Sequence, residues 1–229
     1  MPVTRLNDDD GPFDVTVVEA DAPSREVLFA VGGGGNPERH LPLLRALAAS
    51  GCTVVAPHFD RLTSPAPTDA HLLLRARRLR LALDAVARPG LPAAGVGHSI
   101  GATLLLALAG GEVWMRPGHR LSFPPDVRLE RLALFAPATG FFQAAGALDA
   151  VSTPLLVWAG TKDVVTPPSQ AELLERTLGA RVPVTLRLIE GAGHFSFMDV
   201  PPPGTTEPLA DRDAFLAELT AEVCGFVAR

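Results

Sequence analysis

The chain is poor in the features that mark several large classes of protein. It has only two cysteines in 229 residues, Cys52 and Cys224, far apart and each in an apolar stretch. A disulfide-held framework is therefore not expected. Buried, reduced thiols are the simpler reading, with one disulfide left open as the alternative. Positive charge is not in excess: 20 Lys and Arg stand against 25 Asp and Glu, for a net charge of −5. With a pI near 5.7, this speaks against a nucleic-acid or anionic-membrane surface. The opening MPVTRLNDDDGPFD is polar and acidic and has no apolar signal core, so secretion is not indicated. Mean hydropathy is high at +0.23, but no membrane span is expected. The most apolar stretch, Leu91 to Gly111, carries His98, Ser99, Thr103 and several glycines, whereas a span needs about 20 mainly apolar residues. No internal repeat and no low-complexity block is found. Histidine and cysteine nowhere cluster at ligand spacing, so neither a metal nor an organic cofactor is implied. These absences together favour a cytoplasmic protein.

What is present suits one globular domain. At 47% hydrophobic and 20% charged residues, the chain can bury a sizeable core, and a single domain over 1–229 is expected, with 1–12 loose. Apolar runs at 13–20, 26–33, 52–59, 129–137, 154–160 and 184–191 read as strands. Helical patterns fill 38–50, 68–87, 168–178 and 208–228. In the second of these, Arg75, Arg77, Arg78 and Arg80 form a run, for which a solvated helix face is a better reading than a basic binding patch. Strand and helix alternate throughout. The expected fold class is therefore α/β, with a mostly parallel central sheet and helices on both faces, and functional groups belong beyond the carboxyl ends of its strands.

Two of those ends stand out. Val31 to Asn36 reads VGGGGN. It lacks both the G-x-G-x-x-G spacing of a dinucleotide site and the Gly-Lys-Ser/Thr ending of a P-loop. A tight turn, or an N–H donor to a developing oxyanion, remains. The second is Gly97-His98-Ser99-Ile100-Gly101 within AAGVGHSIGATLLLALAGG, a G-x-S-x-G pentapeptide with an apolar strand before it and a helix after it. Such a turn exposes the serine hydroxyl at the top of a sheet and aims the next N–H, that of Ile100, at the same point. A serine hydroxyl is a weak nucleophile and needs a base. Of the six histidines, His194 in EGAGHFSF follows the last strand and is the best candidate. The imidazole needs a carboxylate to fix its tautomer. Asp163, just past a strand in VWAGTKDVVTPP, fills that place, with Asp199 and Glu190 as rivals.

The order Ser99, Asp163, His194, with the segments GHSIG, LALFAPA, PLLVWAGTKDVVTPP and GAGHFSFMD, resembles the α/β-hydrolase superfamily. More narrowly, the chain is similar to bacterial dienelactone-hydrolase-like serine hydrolases, over roughly 25–228. The resemblance implies Ser99 as nucleophile, His194 as general base and acid, and Asp163 as the orienting acid. It also implies Gly33 as an oxyanion donor beside Ile100, because Val31-Gly32-Gly33-Gly34 stands where relatives often have His-Gly-x-Gly. Dienelactone hydrolases proper carry a cysteine where this chain has Ser99. Relatives often insert a cap between the strand ending near Pro137 and the acid loop. Only Ala138 to Thr153 is available here, enough for one short helix and not for a large cap. Phe141, Phe142, Phe195 and Phe197 are candidate walls of an apolar acyl pocket, with core packing as the default for each. The Pro-rich loops 59–67 and 117–126 are candidate lids. The expected activity is hydrolysis of small carboxylic esters or thioesters. The rival from another class is a non-catalytic protein that holds a small ligand in the same pocket.

Overall fold

The computed structural model describes residues 3–64 and 66–229. Pro65, inside the loop 59–67, and residues 1–2 lie outside the described residues. The chain opens with strands β1 (Val3–Asp8) and β2 (Gly11–Val18), followed by β3 (Arg25–Ala30), helix α1 (Leu41–Ala49) and β4 (Cys52–Pro57). Helix α2 (Asp69–Val86), β5 (Ala93–His98) and α3 (Ile100–Leu108) come next. A small hairpin, β6 (Val113–Arg116) and β7 (His119–Leu121), precedes β8 (Leu129–Phe135), β9 (Leu155–Gly160), α4 (Pro168–Leu178), β10 (Val184–Ile189) and α5 (Arg212–Val227). The helix expected from residue 38 starts as a 3₁₀ turn at Pro37–His40. The Ala138 to Thr153 segment holds only another such turn, Thr139–Phe142, and no cap domain is built from it.

Eight strands form one sheet in the order β1-β2-β4-β3-β5-β8-β9-β10. The pairs β1–β2 and β2–β4 are antiparallel, and the rest of the sheet is parallel. Strands β3, β4, β5 and β9 are buried along their whole length. This is why they appear in the sequence as unbroken apolar runs rather than alternating ones. Two cores result. Leu72, Leu79 and Leu83 of α2 pack with α3 and with Leu174 of α4 on one face. Leu44 and Leu47 of α1 pack with Phe215, Leu219 and Val223 of α5 on the other. Among the described residues no helix is long and apolar enough to cross a membrane. Cys52 and Cys224 are free thiols.

The expectation of a loose 1–12 is corrected for residues 3–12. Val3–Asp8 pairs with Gly11–Val18 as an edge strand, and Asp8 takes hydrogen bonds from both Arg77 and Arg78. The acidic opening reads as loose because its partners, two arginines of α2, are some seventy residues away along the chain.

The topology explains where a site can form. From β3 the chain crosses to β4 on one side, and from β5 it crosses to β8 on the other. The carboxyl ends of β3 and β5 are adjacent, and a crevice opens where departing connections diverge. The glycine loop follows β3, and Ser99 follows β5.

Candidate active site

Ser99 sits between strand and helix at φ 55°, ψ −122°, a conformation costly for any residue with a side chain. Several bonds hold it there. Its N–H donates to the Phe135 carbonyl at 2.9 Å, and its own carbonyl accepts from Ala102 at 3.0 Å. The turn can be this sharp only because Gly101 has no side chain: a Cβ there would overlap the carbonyl of Ala30 in β3. Helix α3 thus starts immediately behind Ser99, with the N–H of Ile100 at its positive end.

The structure brings the three expected residues together from three separate strand ends. The Ser99 hydroxyl lies 3.1 Å from His194 Nε2, and His194 Nδ1 lies 2.8 Å from Asp163 Oδ2. Donation from Nδ1 to the carboxylate leaves Nε2 as an acceptor facing Ser99. Asp163 Oδ1 takes the N–H groups of Val165 and Thr166, each at 2.8 Å, and the Thr166 hydroxyl donates to Oδ2 at 2.8 Å. Burial works to raise the pKa of this carboxyl. The hydrogen bond and charge of His194, with the amide and hydroxyl of Thr166, outweigh burial and hold it below the usual range. The rivals stand elsewhere. Asp199 stands near the start of α1, where burial holds its pKa above the usual range, and Glu190 is exposed.

The loop that carries His194 is fixed from two sides. The Gly193 N–H donates to the Ser196 hydroxyl at 2.8 Å, and that fully buried hydroxyl donates to Glu207. The ring of His98, also buried, donates from Nε2 to the His194 carbonyl at 2.9 Å. Burial, then the charges of His194 and His40, pull the His98 pKa well down, so it acts as a neutral donor. His98 closes strand β5, and nothing local in the sequence marks it as the residue that holds the His194 loop.

A small cavity of about 60 Å³ lies against Ser99 and His194, lined chiefly by Gly32 to Asn36, His98, Phe195 and Met198. Of the four phenylalanines expected at a pocket, only Phe195 is there. Phe142 is corrected to core: it is buried among the helices of one sheet face and closes against Gly111. Phe141 packs against the same core and does not line the cavity. Phe197 stacks on Phe135, at 6.3 Å between ring centres, inside the opposite core. Each had an apolar identity but no position, and a neighbour in sequence can face the other way.

The glycine loop runs beside the serine. A Cβ on Gly32 would come to 3.4 Å from Ser99 Cβ and 3.0 Å from His98 Nδ1. Gly35, at φ +77°, has no room for a side chain because one would overlap the Phe59 carbonyl. Among the described residues the N–H groups of Gly33 and Ile100 make no backbone hydrogen bond. The loop 59–67 starts as a strap on these glycines: Phe59 donates to the Gly35 carbonyl at 2.9 Å and Leu62 to the Gly33 carbonyl at 2.8 Å. Residues 117–126 are in part the β6–β7 hairpin, with Leu121 and Phe123 in the core and His119 paired to Asp69 at 2.6 Å. None of them lines the cavity.

No family model and no curated protein matches this chain. Solved structures do. A thermophilic esterase from the planctomycete Thermogutta terrifontis is 16% identical, with a TM-score of 0.68 over 98% of this chain and 90% of that one. The same esterase is also known with propionate and with butyrate bound. A serine hydrolase without a lid from Xanthomonas campestris is 21% identical, with a TM-score of 0.68 over 99% of this chain and 94% of that one. The esterase domain of a Rhodothermus marinus protein is 19% identical, with a TM-score of 0.62 over 100% and 98%. The chain therefore has the α/β-hydrolase fold, in a form without a cap domain.

Proposed function

We propose that the protein is a serine hydrolase that cleaves small carboxylic esters or thioesters through an acyl-enzyme. The observation that carries this reading is the unbroken line of hydrogen bonds from the Ser99 hydroxyl through His194 to Asp163, set at the switch point of the sheet.

His194 Nε2 takes the hydroxyl proton as Ser99 Oγ bonds to the carbonyl carbon. The negative charge that develops on the carbonyl oxygen is met by the N–H groups of Ile100 and Gly33, which have no other backbone acceptor. Asp163 keeps Nδ1 protonated and stabilises the imidazolium. As the tetrahedral adduct collapses, the bond to the alcohol or thiol breaks and His194 returns its proton to that leaving group. In the second half-reaction His194 takes a proton from water, hydroxide adds to the acyl carbon, and Ser99 leaves with the proton. The acid product departs. Each donor is fixed before reaction, so little reorganisation accompanies the charge.

The cavity beside Ser99 suits a short acyl group. At about 60 Å³ it is small, yet larger than the roughly 10–15 Å³ that a single water needs. Propionate and butyrate bound to the Thermogutta esterase are acids of the size proposed here. A panel of nitrophenyl esters and acyl-CoAs with purified protein tests the activity. Turnover with a pre-steady-state burst of nitrophenol is expected, and no turnover of any member would contradict the reading.

A further inference from the structure

Arg75 departs from the rest of its helix. The buried stripe of α2 is Leu72, Ala76, Leu79, Ala82 and Leu83, and Arg75 lies within it, only 2% exposed. The expectation of a solvated arginine face is thus corrected at this position. Among the described residues Arg75 forms no salt bridge, although burying an ion without a counter-ion is expensive. Burial lowers its pKa only to about 10, opposed by the charge of Asp60, so the guanidinium is charged at any ordinary assay pH. Three carbonyls replace a counter-ion: Gly32 at 3.0 Å, Gly33 at 3.4 Å and Asp60 at 2.7 Å. The guanidinium carbon also stands 4.8 Å from the centre of the Phe59 ring.

Two of these carbonyls belong to the glycine loop beside Ser99. The carbonyl of Gly32 and the N–H of Gly33 are the two ends of one peptide group, and in a trans peptide they point in opposite directions. A cation that holds the oxygen therefore turns the N–H away from α2. Gly32 itself stands beside the serine, since a Cβ added to it would come to 3.4 Å from Ser99 Cβ. A hydrogen bond at the oxygen also polarises the peptide and strengthens its N–H as a donor.

We propose that Arg75 is a positioning residue of the oxyanion site: it clamps the Gly32–Gly33 peptide so that the Gly33 N–H, polarised by the buried cation, faces the carbonyl oxygen of the substrate at Ser99. The inference rests on the reading of Ser99 as a nucleophile. It accounts for an unpaired buried cation at the point where negative charge must develop. Through Asp60, the same guanidinium also ties the 59–62 strap to the glycine loop.

The test uses the full chain as wild type, Arg75→Lys and Arg75→Met, with a short nitrophenyl ester and an alkyl boronic acid that forms a tetrahedral adduct on serine. In wild type, boronate binding is expected to move the amide proton resonances of Gly33 and Ile100 downfield, with Gly34 little changed. In Arg75→Met, kcat is expected to fall about 100-fold, the loss typical of one oxyanion donor. KM should stay within about twofold and boronate affinity should fall by a similar factor to kcat, which loss of stability alone would not produce. Lysine keeps the charge but cannot reach all three carbonyls, so Arg75→Lys should lie between wild type and Arg75→Met. A folded Arg75→Met with kcat within about twofold of wild type overturns the proposal, as does a loss confined to KM. Should Arg75→Met fail to fold, the wild-type resonances decide: a Gly33 amide that does not respond to boronate overturns it. A wild type that neither turns over the ester nor binds boronate overturns the serine-hydrolase reading itself, and an active wild type separates the two failures.

Discussion

The His98 ring donates from Nε2 to the backbone carbonyl of His194 across 2.9 Å, joining the residue before the proposed nucleophile to the residue proposed as its base. The distance between Ser99 and His194 is therefore set by their neighbours as well as by the two side chains. His98→Ala should leave the His194 loop free to shift by a fraction of an ångström. On the proposed mechanism kcat should drop about 10- to 100-fold, since small misplacements are costly in near-attack geometry. His98→Asn keeps a donor and should recover part of the loss. Steady-state kinetics of the two variants checks this; equal activity in all three proteins would show that the bond does not position the base.

The acid and the base should behave as a unit. His194→Ala and Asp163→Asn are each expected to lower kcat by roughly 10³ to 10⁴. Either change made on top of Ser99→Ala should cost little more. Asp163→Asn with near-wild-type turnover would remove Asp163 from the mechanism.

Acyl length should show the size of the cavity. Each buried methylene adds about 0.8 kcal/mol, so kcat/KM should rise over the first few acyl carbons. Beyond them the chain emerges into water, and kcat/KM should level off or fall. Nitrophenyl esters from acetate to palmitate, held below micellar concentrations, supply the series. A maximum at long chains with activation at an oil–water interface would show that a lid forms, with the 59–67 loop the first place to look.

Asp8 should matter to stability in acid. The hydrogen bond from Arg78 is the largest influence on its pKa, burial opposes it, and Arg77 adds to it; the net effect lowers the pKa to about 2. Because the folded-state value lies below the unfolded one, the stabilisation is fully present above the unfolded pKa of about 4 and is lost as pH falls through about 2. Asp8→Asn should cost about 1–3 kcal/mol at neutral pH and flatten the loss of stability between these values. Urea melts of both proteins from pH 7 to pH 2 test this; parallel curves would contradict it.

The site was more legible in the sequence than its supports. Ser99, Asp163 and His194 each follow a strand; β5 and β9 are buried along their length and stand out as apolar runs, and the edge strand β10 before His194 shows by its alternation, so the residues just after them can be picked out by position. The supports act across the chain and leave no local mark. Asp8 appears as part of a loose acidic run because Arg77 and Arg78 are far away in sequence, and Phe142 reads as a pocket wall until the turn Thr139–Phe142 directs it inward. Arg75 did leave a signal. It stands three residues after Leu72 and four before Leu79, inside the apolar stripe rather than opposite it. Its neighbours Arg77, Arg78 and Arg80 hid that spacing by making one charged run of four residues with different roles.

The central claim is that Ser99 is an activated nucleophile, and covalent labelling tests it most directly. A fluorophosphonate should modify wild-type protein at one site, and mass spectrometry of the digest should place the adduct on the peptide that contains Ser99. Ser99→Ala should lose both the adduct and ester turnover while its unfolding curve stays close to that of wild type. Equal labelling of Ser99→Ala, or an adduct on another residue with turnover intact, would contradict the account.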